Sequence, residues 1–119
     1  MKYELVFSTD FTQTPLYEKL VAFIGDCNAL IPKVHCQGRK LFAGRIRWEL
    51  GCMTQLLLHA AATERATKRR YFISLTQQHF QVACGLLKCC CDLKFLPAHH
   101  YETLNLEIFD SLQLVRANQ

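Results

Sequence analysis

Seven cysteines, five histidines and fourteen Lys or Arg are the side chains of this 119-residue sequence with chemistry beyond packing. Cys89, Cys90 and Cys91 are consecutive. On a helix, successive side chains diverge by about 100°, so the three cannot converge on one tetrahedral metal. The sequence contains no C-x-x-C, no H-x-x-x-H and no E-x-x-H, the spacings that put two ligands on one face. An odd number of thiols without a disulfide spacing reads as reduced cysteines that pack as small apolar side chains in a cytosol. His79 falls on an apolar row and is expected to be a hydrogen-bonded core residue. His99 and His100 are adjacent and diverge. There is no G-x-S-x-G, no phosphate loop and little glycine for active-site turns. No enzyme, no cofactor and no metal are expected.

The basic residues are distributed with more purpose. Net charge is +4, yet residues 33–94 carry eleven Lys or Arg against three acids, a net of +8, while residues 1–32 and 95–119 are each −2. Arg39, Lys40, Arg45 and Arg47 form one cluster and Arg65, Lys68, Arg69 and Arg70 another. A phosphate backbone asks for several cations on one surface, because each neutralised phosphate releases counterions. The eight are therefore candidate contacts to RNA or DNA, weighed against simple solvation of helix ends. A protein-interaction module without a nucleic-acid ligand is the alternative.

Helices must position these clusters. Across residues 72–96, Phe72, Leu75, His79, Val82, Leu86, Cys89, Leu93 and Leu96 recur in steps of three and four, the pattern of a seam for a partner helix. Ile73, Phe80, Ala83, Leu87 and Cys90 form a second row beside it. Before this central helix, Thr14 and Pro15 supply a hydroxyl cap and a first-turn proline. Leu16, Leu20, Phe23, Ile24, Cys27 and Ile31 then trace one face, which Pro32 closes. After a link containing Lys33 and Gly38, Phe42, Ile46, Leu50, Met53, Leu56, Leu57 and Ala60 define a second helix. It ends near Ala62, and Trp48 is offset from its stripe towards either the monomer core or a subunit contact. Tyr101, Leu104, Ile108, Leu112 and Val115 repeat at helical spacing after Pro97.

The periodicity thus predicts a single all-α domain over residues 1–119, an antiparallel up-down-up-down four-helix bundle. Its helices run over about residues 14–31, 36–62, 67–96 and 97–116. Residues 1–12 alternate apolar and polar at their start and are expected to be an arm that either frays or pairs with or packs against a neighbouring subunit, with docking favoured because a free arm would expose an aromatic row. Half the residues are hydrophobic, more than a small bundle readily hides, which points to self-association. No apolar run is long enough to span a membrane, and no export signal is apparent, so a cytoplasmic location is expected.

Several of these features together resemble a known family. They are the Pro15-started helix ending in Ile31, Pro32 and Lys33, the basic start of a long second helix, and its Ala60, Ala61 and Ala62 end. A basic turn, a long third helix and Glu107-Ile108 with Leu112 complete the set. Over residues 14–116 the chain resembles the four-helix-bundle superfamily of proteins encoded in intervening sequences of bacterial large-subunit ribosomal RNA genes. It is most similar to the accessory variability protein (Avd) branch of diversity-generating retroelements. The resemblance implies a ring-shaped homopentamer with a basic surface, nucleic acid as ligand and a reverse transcriptase as protein partner.

Overall fold

Thr14 has extended backbone angles, and its hydroxyl accepts a hydrogen bond from the Tyr17 N–H at 3.3 Å. That satisfies one of the donors left over at a helix start, and Pro15 needs no such partner. The protein's structure, a computed structural model, describes residues 11–99 and 102. It is all-helical, with three long helices and no strand among the described residues. Helix α1 spans Pro15–Leu30 and buries Leu16, Leu20, Phe23, Cys27 and Leu30. A 3-10 turn, Ile31–Lys33, follows it. The chain is extended at Val34 and His35 and becomes helical again at Cys36. From there a helical turn and a wider π-helical stretch, Arg39–Ala43, lead without a break into α2, Gly44–Ala62. Gly38, which its residue type assigns to the link although the predicted helix begins near residue 36, is part of the helix.

Thr63, Glu64 and Arg65 connect α2 to α3, Ala66–Asp92. His59 stacks on Phe72 at 5.3 Å and Trp48 meets His79 at 5.8 Å. Partners that advance along α2 thus retreat along α3, so the two helices are antiparallel, and their mutual packing is the most extensive among the described residues. Helix α1 packs alongside this hairpin, with Phe23 edge-on to Phe80 at 4.7 Å.

The structure corrects the ranking of the two rows on α3. Its buried face is Arg69, Ile73, Thr76, Phe80, Ala83, Leu87 and Cys90. The row taken as the seam is left half-buried to exposed along most of its length, with Val82, Cys89 and Leu93 exposed. Both rows advance in steps of four and three, so spacing does not separate them. Two polar members, Arg69 and Thr76, disguised the true core row. Thr76 is accommodated by donating from Oγ1 to the Phe72 carbonyl at 2.8 Å.

The end of α3 is also earlier than predicted. Lys94 takes a left-handed conformation at φ 65°. The Lys94 N–H donates to the Cys91 carbonyl at 3.0 Å, and the Phe95 N–H to that of Cys90 at 2.8 Å. This is a Schellman motif with lysine where glycine is usual, so the helix stops at Asp92 rather than at the Leu96-Pro97 break. Phe95 then lies over the start of the second helical segment. Its carbonyl accepts from the His35 N–H at 2.9 Å, and its ring stacks on His35. A Cβ on Gly38 would stand 2.7 Å from both Phe95 and Val34, so only glycine fits there.

Phe11, placed in the N-terminal arm by its sequence, is buried, and its ring lies beneath the Arg69 guanidinium at 5.4 Å. The rest of the predicted arm, residues 1–10, lies outside the described residues. So does the predicted fourth helix, except for Pro97, which is not helical, and Ala98, His99 and Glu102, which are.

Candidate nucleic-acid interface

The eight cations predicted to meet phosphate fall into two groups at opposite ends of the α2–α3 hairpin. Helix α2 has 19 residues, which separates the groups by roughly 28 Å at the helical rise. Within each group the residues divide again, by what their side chains already hold.

Arg39 ties down the corner before α2. Its Nε donates to the Val34 carbonyl at 2.8 Å and its Nη2 to that of Pro32 at 2.6 Å. Arg45 pairs with Glu49 at 3.1 Å and lies over the Trp48 ring at 5.4 Å. Lys40 and Arg47 are exposed beside them. At the other end Arg69 is only 6% exposed. Its Nε donates to the Ala60 carbonyl at 2.9 Å and its Nη2 to that of Thr63 at 2.5 Å. Those carbonyls belong to the open end of α2, so Arg69 closes that helix. Burial holds its pKa below the ordinary guanidinium value. Arg65, Lys68 and Arg70 point away from the core and are exposed, and Tyr71 is exposed next to them.

These three cations surround the first turn of α3, which has no acidic residue and no side-chain cap. A helix N-terminus already carries partial positive charge and unpaired N–H groups, so cations there oppose the dipole while anions are welcome. The acids of residues 33–94 do little to offset the field. Glu49 is buried, Asp92 is engaged by Lys88 at 2.6 Å, and Glu64 alone stays at the basic turn.

Sequence reasoning missed the role of Glu49. It is 1% exposed; Oε1 accepts from Arg45 and Oε2 lies 2.5 Å from His79 Nδ1. The expectation that His79 is hydrogen-bonded holds, but it is half-buried at the edge of the core. Trp48 shares this cluster and is 57% exposed. The available signal was spacing, because Glu49 lies three residues after Ile46 and four before Met53, on the buried stripe.

The described cysteines form no disulfide. Cys27 and Cys90 are buried, and Cys36 and Cys89 are exposed. Burial pushes the Cys84 thiol up to about 12. Cys90 rises to about 11, through burial and then its neighbours Cys91 and Cys89. No group of three or more His, Cys, Asp or Glu among the described residues is arranged to hold a metal ion. No described helix is long and apolar enough to cross a membrane. Comparison with family models, with curated proteins and with solved structures finds no match to this chain.

Proposed function

We propose that this chain is a non-catalytic, homo-oligomeric accessory protein that binds nucleic acid through the exposed cations of its basic hairpin. The observation that carries the reading is the concentration of Arg65, Lys68 and Arg70 at the start of α3. Cations collected where the helix dipole opposes them, with no acid in the first turn of α3 and only Glu64 just before it, gain most from an anionic partner. Lys40 and Arg47 extend the same charge to the far end of the hairpin. Arg45 keeps part of its guanidinium at the surface, whereas Arg39 and Arg69 act mainly as structural ties. The resemblance to the Avd branch supports the same reading and adds its finer parts. These are a fourth helix, a pentameric ring in the cytoplasm and a reverse transcriptase as protein partner.

The test is RNA or DNA affinity measured against salt. Affinity should fall steeply, and R65E/K68E/R70E should both weaken binding and flatten the slope by about three. Binding indifferent to salt, or to that triple reversal, would sink the reading. A second reading, a protein-interaction module, is favoured by the exposed side chains of Leu41, Leu58 and Leu93. It predicts a protein partner retained at high salt and after nuclease treatment.

A further inference from the structure

Resting on the nucleic-acid reading, we infer that the ligand is single-stranded and that Trp48 is a platform on which one of its bases stacks. Trp48 is 57% exposed, yet its ring is held in place. The Arg45 guanidinium lies over it at 5.4 Å, and the His79 ring meets it at 5.8 Å and 70°. Arg45 and His79 are in turn fixed by the same carboxylate, the buried Glu49. A buried acid therefore anchors both neighbours of an exposed indole. An aromatic surface whose freedom is already lost binds at a smaller entropic cost.

Space for a base lies beside Trp48, towards the C-terminal part of α2. Trp48, Gly51, Cys52 and Gln55 line an open groove of about 250 Å³. Gly51 contributes no side chain, and even an added Cβ there would touch nothing within 4 Å. Gln55 brings an amide with both donors and an acceptor, suited to the edge of an unpaired base. Burial first, then Glu49, push the Cys52 thiol up, against the lowering effect of Arg45, so the groove gains no thiolate to repel a phosphate. Arg45 and Arg47 supply positive charge to the strand's backbone on the same stretch of α2. In a duplex the base faces are already stacked on one another, so a duplex reaches only the cations. A single strand reaches the cations and the indole together.

Trp48 is the only tryptophan in the chain, so its fluorescence reports the contact directly. The full-length protein is titrated with oligo-uridine and with an RNA duplex of the same length. Oligo-uridine should quench the fluorescence and the duplex should not. Trp48→Ala should weaken oligo-uridine binding by roughly five- to a hundredfold while leaving duplex binding unchanged, and Trp48→Phe should retain most of the affinity. Single-strand binding without quenching, or equal losses for single strand and duplex in Trp48→Ala, overturns the platform and leaves the charge reading intact. Failure of both nucleic acids to bind at low salt overturns both. A Trp48→Ala protein with unchanged affinity but altered oligomeric mass assigns the indole to a protein contact and overturns the inference.

Discussion

Arg69 and Arg70 are neighbours of one residue type with opposite surroundings. Arg69 is buried under the end of α2, and its guanidinium holds the Ala60 and Thr63 carbonyls. Arg69→Met leaves those acceptors unmet, and hydrogen bonds from a charged donor are each worth about 1.5–3 kcal/mol. Urea denaturation should therefore show a loss of at least about 3 kcal/mol for Arg69→Met. Arg70→Met should change stability by no more than about 0.5 kcal/mol and weaken nucleic-acid binding instead. Composition offered no means of telling these residues apart. Position did, because Arg69 lies four residues before Ile73 and continues the buried row. The same holds for Glu49, whose place on the stripe of α2 is visible in the sequence but whose partner His79 is 30 residues away.

Cys84 gives a pH dependence. Its thiol is raised by burial from 9.0 to about 12. Between those values the unfolded chain has released the proton and the folded chain still holds it, so the fold binds more protons and stability falls as pH rises. The contribution is complete below pH 9 and lost on approach to about 12. Cys84→Ala should flatten the decline in a series of urea midpoints over that window. An unchanged slope would show that other groups govern it. Iodoacetamide should in turn label Cys36 and Cys89 ahead of Cys84, since the thiolate is the nucleophile.

Helix boundaries depend on interactions at chain corners, and Gly38 is where this matters most. Its Cα faces Phe95 and Val34 so closely that a methyl group would need to displace both. Gly38→Ala should cost about 1–3 kcal/mol in overpacking, more than the roughly 1 kcal/mol that alanine gains in a helix. Gly85 is the control, because a Cβ there meets nothing within 4 Å among the described residues. Gly85→Ala should stabilise by about 1 kcal/mol, so thermal melts of the two variants should move in opposite directions. A stabilised Gly38→Ala would mean that the corner packs more loosely than described.

The helices themselves could be read from apolar spacing, and the start of α1 at Thr14-Pro15 and the end of α2 at Ala62 came out as expected. The end of α3 did not, because its left-handed stop is Lys94 and no glycine marks it. Gly38 misled in the other direction. A glycine near a helix start reads as a link residue, whereas close contact with Phe95, 57 positions later in the chain, explains its presence inside a helix. Single-sequence periodicity registers local turns and caps, while such long-range approaches leave no pattern in it.

On the largest scale, a basic hairpin of net +8 is set within a chain of net +4. The structure adds direction to that charge. Arg39 is tied to the Val34 and Pro32 carbonyls at the corner before α2, Arg69 is turned inward to close the end of α2, and Arg65, Lys68 and Arg70 are turned out around the start of α3. The division between residues 33–94 and the rest of the chain was apparent from counting charges, but the separation of the cations into two ends of a hairpin required the fold. Exposed apolar side chains such as Leu41, Leu58 and Leu93 accompany the charge and fit a protein that associates with itself. Repeating a modest basic patch around an oligomer would multiply its field and its hold on phosphate.

The most direct measurement is a native mass spectrum of the full-length protein purified without nuclease. The account predicts a mass at a multiple of the 13.8 kDa chain, fivefold if the ring implied by the resemblance forms, carrying additional mass that nuclease removes. A bare 13.8 kDa monomer would contradict both the assembly and the nucleic-acid ligand.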